Sequence, residues 1–275
     1  MIRKIFEYLE NTHVTFYGWI SALLAVTFIR TFLENFSGRS VTDGFSTDMG
    51  TLLHYTLFYL FTISVFIIVI NYFTNADLVK TAKVFLFGSL LLWSPPLIDL
   101  LLTQGKGVLL AYLFGSREIL SGTLFTFFIS GSPGISAGIR VEFLILFVLV
   151  FLYVYSKGRS ILKSLFAVMT VYMILFVLYT LPVILGITSD WGWLLSVKYS
   201  IIGKNYFHPA LQFSTTKRLF EVYFNVVISQ VFYIGLIITT FVIGVLWDKK
   251  KIFAIIKNSR LERVAHYFCM ILLGF

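Results

Sequence analysis

The stretch "VEFLILFVLVFLYVYSKGRSILKSLFAVMTVYMILFVLYTLP", residues 141–182, decides the fold. It joins two apolar runs, at 139–157 and 161–187, through the short basic turn "SKGRS". A helix needs about 20 apolar residues to cross the hydrocarbon core of a bilayer, and both runs are close to that length. Lys157 and Arg159 lie in the turn, and such charges mark the cytoplasmic side of a membrane. The stretch therefore predicts a helical hairpin that crosses the membrane twice.

The same pattern continues on both sides of this hairpin. The predicted spans are 14–33, 51–73, 84–103, 139–157, 161–187 and 225–247. The chain of 275 residues is 58% hydrophobic and only 13% charged, with a mean hydropathy of +0.89. A water-soluble fold of this length has too little interior to hide so much apolar surface. The runs are continuous rather than alternating, which disfavours a β-barrel. We predict an all-α polytopic membrane protein of about six helices, with residues 1–275 forming a single transmembrane domain.

The net charge of +9 comes mainly from Lys and Arg in the short segments between spans. This is the positive-inside pattern, so we interpret the charge as a topology signal and predict no nucleic-acid partner. Both termini are predicted to lie inside. Residues 248–275 are expected to form a basic cytoplasmic segment that begins a further, incomplete span. The chain is expected to be integral to a membrane, which is the cytoplasmic membrane if the organism is prokaryotic.

Residues 108–130 form an apolar segment that carries Arg117 and Glu118 near its centre. A full span with both charges at mid-depth would cost roughly a few kcal/mol per charge. We therefore predict a re-entrant or interfacial segment here.

The sequence shows no pattern typical of an active site. Cys269 is the only cysteine, and the four histidines have neither HxxxH nor HExxH spacing. We predict no metal, no cofactor and no catalytic residue, which favours a non-enzymatic protein. His54 falls just inside the second predicted span and is expected to be an interfacial histidine.

The stretch "FFISGSPGISAGIRVEF" (127–143) has two interpretations. Ser132-Pro133 is typical of a helix start, and Gly134 and Gly138 would then form a GxxxG face for close helix packing. Alternatively, backbone amides at that helix start, together with Arg140, hold an anion such as the phosphate of an anionic lipid headgroup.

The stretch "LLWSPPLIDLLL" (91–102) places Pro95 and Pro96 inside the third predicted span. Two prolines remove backbone donors and break or kink the helix. Asp99 follows one turn later, and a broken helix beside an acid is a pattern found at transport sites. The alternative is a structural kink with Asp99 near the outer surface.

Five ionisable residues are predicted to lie near the outer boundary, where they either pair in a structural network or line a polar vestibule. These candidate ligand or transport residues are Arg30, Glu34, Asp99, Arg140 and Glu142.

Residues 75–102, "NADLVKTAKVFLFGSLLLWSPPLIDLLL", together with 141–182, resemble the Yip-domain family of small polytopic membrane proteins. The family pattern is a span, a polar turn, a span with a mid-helix proline, and then two spans joined by a basic turn. Spans two to six would supply its five helices, although the extra first span reverses the expected orientation. Eukaryotic members are tied to membrane trafficking and Rab GTPases, so the resemblance implies a non-enzymatic scaffold or partner-binding protein.

A second resemblance lies in "RLERVAHYFCMILLGF" (260–275), which is similar to the entry into the first helix of UbiA-type prenyltransferases. Their aspartate-rich motifs are absent from residues 1–275, so this resemblance implies a catalytic part beyond Phe275.

Three functions therefore follow from the sequence. The first is a Yip-like scaffold or partner-binding protein, acting with protein partners or as a homo-oligomer in the lipid bilayer. The second is a transporter or channel component with its site at the Pro95-Pro96 break and the Gly131–Arg140 turn. The third is the membrane region of an enzyme that acts on a lipid-linked substrate.

Overall fold

The computed structural model describes residues 2–37, 49–105, 124, 135–184, 209–258 and 270. Its helices are α1 (Ile2–Asn11), α2 (Phe16–Ser37), α3 (Met49–Thr74), α4 (Leu78–Gly88), α5 (Ser94–Leu102), α6 (Ala137–Gly158), α7 (Ile161–Tyr179), α8 (Leu181–Ile184) and α9 (Pro209–Asn258). Helix α9 is interrupted by a kink at Asp248, whose backbone is extended (φ −149°, ψ 88°). A 3₁₀ turn, Ser89–Trp93, joins α4 to α5.

Six helical segments of the described chain are long and apolar enough to cross a membrane. They are Phe16–Glu34, Leu52–Thr74, Leu78–Leu102, Ala137–Gly158, Ile161–Tyr179 and Asn225–Ala254. This confirms the predicted all-α polytopic class and the predicted number of spans. The fifth span is shorter than predicted, because a turn at Thr180 ends α7 two residues before Pro182. Pro182 has no amide hydrogen to donate to the carbonyl four residues before it, so the helix is interrupted at this point.

Short turns make consecutive spans antiparallel. Asn75 adopts a left-handed conformation (φ 49°) before α4, and the Asp77 side chain accepts hydrogen bonds from the amides of Val79 and Lys80 to cap that helix. Arg159 is left-handed (φ 51°) after α6, and Ser160 caps α7. Both turns lie at the end of the bundle that also holds α1. We call this the near end, and the opposite end the far end; the sequence predicts that the near end is cytoplasmic.

Helix α3 lies at the centre of the bundle. It packs against α2, α4, α6, α7 and α9. Two indole donors fix the interrupted third span against α2: Trp19 Nε1 donates to the Ala82 carbonyl at 2.9 Å, and Trp93 Nε1 donates to the Val26 carbonyl at 3.1 Å. The third span is thus held against α2 by side-chain hydrogen bonds in α4 and at the end of the 3₁₀ turn.

The predicted break at Pro95 and Pro96 is present, but it takes a specific form. The helix tightens into the 3₁₀ turn before the prolines, which then occupy the first turn of α5, where missing amide donors cost little. The Ser94 hydroxyl donates to the Leu91 carbonyl at 2.7 Å, which satisfies one of the carbonyls freed by the break.

Helix α6 begins later than predicted. The sequence favoured a start at Ser132-Pro133, whereas Ser136 is extended (ψ 168°) and accepts from the Ile139 amide as the helix cap. Ser136 has the same capping chemistry as Ser132, and the later serine is the one used.

Several predictions fall on residues outside the described ranges. The segment 108–130 is one of them, except for Leu124, whose carbonyl accepts a hydrogen bond from the Tyr172 hydroxyl. Gly131, Gly134 and the incomplete span at 264–275 are also outside, apart from Met270.

Candidate functional site

A buried ion pair lies at the far end of α2. Arg30 Nη1 is 2.6 Å from Glu34 Oε2, and the two side chains are only 1% and 6% exposed. Arg30 Nε also donates to the Tyr59 hydroxyl of α3 at 3.1 Å. Charged side chains are almost never this buried unless they are paired, and within a membrane span they are a default pointer to function.

Glu142 of α6 joins this pair as a second carboxylate. It is 7% exposed and lies within electrostatic reach of Arg30 and Glu34. Among the described residues, no hydrogen bond or ion pair is made by its carboxylate. Arg30 is therefore shared electrostatically between two acids, one in close contact and one farther away.

Two tyrosines complete the polar cluster. Tyr59 and Tyr179 are both buried, and both lie within electrostatic reach of Arg30 and Glu142. Phe143 packs edge-on against Tyr179 with ring centroids 5.6 Å apart. We call Arg30, Glu34, Tyr59, Glu142 and Tyr179 the far-end cluster.

Sequence reasoning missed a polar contact between α3 and α9. His54 is 1% exposed, and its Nδ1 lies 2.8 Å from Oδ1 of Asn225. The ring stacks on Tyr55 at 4.8 Å between centroids. His54 is therefore buried between α3 and α9. Its partner is 171 positions away, so no local pattern signals this contact.

Asp99 has a structural contact. Its Oδ1 accepts a hydrogen bond from the Gly138 amide at 2.8 Å, so the carboxylate lies at the start of α6. A negative charge there is favourable because the first turn of a helix presents free amides and a positive dipole end. A β-carbon on Gly138 would lie 2.4 Å from the Pro95 carbonyl oxygen. One helix junction, which holds α5 against α6, is thus formed by three residues that the sequence singled out: Pro95, Asp99 and Gly138.

The remaining predicted residue, Arg140, is half-buried on α6, and its Nη2 lies 3.5 Å from the Ile135 carbonyl. The structure therefore divides the five predicted ligand residues. Arg30, Glu34 and Glu142 come together, Asp99 caps α6, and Arg140 reaches back to the residues before its own helix.

A cavity of about 250 Å³ lies against the far-end cluster. Its walls are α3, α4 with the 3₁₀ turn, and α6, and α7 contributes Leu175 and Tyr179. Along α3 the lining extends from Phe58 to Ile70, which is about 18 Å at 1.5 Å per residue. The lining is therefore elongated along α3.

Most of the lining is apolar, and its charged group lies at the far end. Glu142, Tyr59 and Tyr179 form that end. Phe6 and Leu9 of α1 close the near end, where the Phe6 ring packs on Tyr153 at 5.0 Å between centroids. The cavity thus has a charged end and an apolar end.

Helix α1 is fixed over the near end by Glu10, which is buried. The Tyr153 hydroxyl donates to Glu10 Oε1 at 2.9 Å, and Lys157 Nζ donates to Oε2 at 2.7 Å. Lys83 Nζ of α4 reaches the Glu10 carbonyl at 3.4 Å. These contacts attach α1 to α4 and α6, two of the helices that wall the cavity.

The side of the cavity faces the membrane. Gly88 and Leu149, on opposite walls, both line the cavity and are both exposed at the surface of the bundle. A β-carbon on Gly88 would have nothing within 4 Å. Since this surface lies within the spanning segments, the opening leads to the hydrocarbon core of the bilayer.

No family model, curated protein or solved structure matches this chain. In the described residues, no group of three or more His, Cys, Asp or Glu side chains is arranged to hold a metal ion. The geometry of the cavity and of the far-end cluster therefore carries the functional argument.

Proposed function

We propose that this integral membrane protein is a non-enzymatic carrier or binding protein for a chain-like hydrophobic molecule, which enters the cavity sideways from the bilayer. The observation that carries the proposal is the long, mostly apolar lining of the cavity. A lining that extends about 18 Å along α3 suits an extended hydrocarbon chain such as a lipid tail. Its apolar lining favours a hydrocarbon chain through the hydrophobic contacts that fill it.

The proposal modifies the transporter function expected from the sequence. That function placed the site at the Pro95-Pro96 break, Asp99 and the Gly131–Arg140 turn. Pro95, Pro96, Asp99 and Arg140 do not line the cavity, and Asp99 is engaged with Gly138. Glu142 instead supplies the charged group of the lining, and Arg30 and Glu34 lie within its electrostatic reach.

A Yip-like scaffold needs no cavity, so the cavity favours ligand binding over scaffolding. The predicted packing face consists of Gly134 and Gly138, and the structure describes only Gly138. This glycine packs against Pro95 of its own chain, so it is not available to pack against a second protein.

The test is photolabelling of the purified protein in phosphatidylcholine nanodiscs. The probe is dodecanol with a diazirine in its chain, and labelled peptides are identified by mass spectrometry. We expect labels on cavity residues such as Phe66 and Leu146, and weaker labels on lipid-facing Leu144.

The matched variants are Leu146→Trp and Leu144→Trp, two equal substitutions on α6. Leu146 lines the cavity, whereas Leu144 is 54% exposed and does not line it. Leu146→Trp should abolish cavity labelling, and Leu144→Trp should leave it unchanged. If Leu146→Trp does not fold, Leu149→Trp at the opening replaces it. The proposal would be rejected if the labelled residues were simply those exposed to lipid and if neither Leu146→Trp nor Leu149→Trp changed the labelling.

A further inference from the structure

The charge balance of the far-end cluster indicates what the ligand carries at its polar end. Arg30 supplies one positive charge, and Glu34 and Glu142 supply two negative charges, so the ionised cluster has a net charge of 1 − 2 = −1. A net charge inside a membrane span is costly unless a proton or a counter-charge neutralises it.

The two acids are not equivalent. Glu34 is in ion-pair contact with Arg30 at 2.6 Å and does not line the cavity. Glu142 lines the cavity, is more than nine-tenths buried, and has no hydrogen-bond or ion-pair partner among the described residues. The acid without a contact partner is therefore the one that lines the cavity.

We infer that the ligand is a cationic amphiphile, with an amine head bound to Glu142 and a single hydrocarbon chain lying between α4 and α6 toward Phe6. This inference rests on the proposed function, to which it adds the chemistry of the head group. An ammonium group supplies the missing positive charge and donates hydrogen bonds to the carboxylate, while Tyr59 and Tyr179 flank it. A carboxylate or phosphate head would meet a like charge at the same place.

The ligand's orientation follows from the positions of the two ends. The head lies at the far end, within one to two helical turns of the ends of α2 and α6. The chain then extends inward, away from the far-end surface, to the side chains of α1. An amphiphile in the leaflet at the far end has this same orientation, with its head outward and its chain toward mid-membrane, and so enters without turning over.

The experiment compares three diazirine probes of equal chain length in phosphatidylcholine nanodiscs: dodecylamine, dodecanol and dodecanoic acid. For the wild-type protein, labelling of cavity peptides is measured as a function of probe concentration, which gives an apparent affinity for each probe. We expect the amine to bind at least about tenfold more tightly than the alcohol, and the acid to bind most weakly. This ranking needs no variant, so it tests the inference even if changes at Glu142 affect folding.

Two substitutions then locate the head group. Glu142→Gln should reduce amine affinity to that of the alcohol and leave alcohol affinity unchanged, whereas Glu142→Asp should retain the preference for the amine. Equal binding of amine and alcohol, or tighter binding of the acid, overturns the inference while leaving the proposed function intact. If none of the probes gives labelling that Leu146→Trp removes, the proposed function itself fails.

Discussion

The amide of Gly138 donates to Oδ1 of Asp99 at 2.8 Å, and this bond joins the start of α6 to α5 across 39 positions of sequence. In the same contact, the α-carbon of Gly138 faces the Pro95 backbone so closely that no side chain fits. The proline break and the glycine are therefore two halves of one junction, in which α5 supplies both a flat backbone surface and a capping carboxylate.

We expect substitution of Gly138 to destabilise the protein more than substitution of Arg140. Gly138→Ala would place a carbon 2.4 Å from the Pro95 carbonyl oxygen, which is backbone and cannot rotate away. The helices must separate, at a cost typical of overpacked cores, about 1–3 kcal/mol, and Gly138→Leu should cost more. Thermal unfolding in detergent measures the effect.

Gly88→Ala is the matched control, because a β-carbon there meets nothing within 4 Å. It should keep or raise the unfolding temperature, since alanine is the better helix former. Should Gly138→Leu prove silent while Arg140→Gln abolishes ligand binding, the turn before α6 is a ligand site and the junction is secondary.

Asp99 is expected to act as a cap and not as a transport residue. Asp99→Leu removes the acceptor for the Gly138 amide and should destabilise the fold by about 1–2 kcal/mol, whereas Asp99→Asn keeps an acceptor oxygen and should lose much less. Asp77→Ala, which removes the cap of α4, gives the comparison for an exposed helix start. Probe labelling in folded Asp99→Asn should equal that of the wild type. Loss of labelling without loss of stability would restore Asp99 to the site.

Much of the fold could be predicted from the sequence, because membrane spans are defined by run length and hydropathy. The Arg30–Glu34 pair could also be predicted, since residues four apart share a helix face. The sequence did not predict which face of each helix points into the bundle. Phe143 is 3% exposed and its neighbour Leu144 is 54% exposed, yet both are apolar, because lipid and protein interior select the same residue types. Hence hydropathy alone did not indicate that Glu142 and Tyr59 line a common cavity.

Two Arg–Glu pairs with the same i,i+4 spacing should respond very differently to mutation. Arg30–Glu34 is almost fully buried, whereas Arg3–Glu7 on α1 is 64% and 44% exposed. Arg30→Gln leaves Glu34 buried without its cation and should cost roughly 3–5 kcal/mol. Arg3→Gln should change the unfolding temperature little, because solvent screens exposed pairs.

The double variant Arg30→Gln/Glu34→Gln separates charge burial from packing. It removes both charges of the pair and should recover much of the stability lost in Arg30→Gln. If the double variant is as unstable as the single one, the contribution of Arg30 lies in its bond to Tyr59 and in its packing, not in charge pairing with Glu34.

Glu10 should control access to the near end of the cavity. Glu10→Gln removes the charge that holds Lys157, a charge-assisted bond worth about 1.5–3 kcal/mol, so the population with α1 displaced should rise about tenfold or more. The measurement is the rate at which a membrane-impermeant maleimide modifies Leu9→Cys in a Cys269→Ser background. Leu9 lies on the cavity side of α1 and is only partly exposed, so displacement of α1 should accelerate its modification. Glu7→Gln, which breaks only the exposed pair on the same helix, should leave the rate unchanged. Equal acceleration by both variants would mean that general weakening of α1, and not the buried Glu10 contact, determines access.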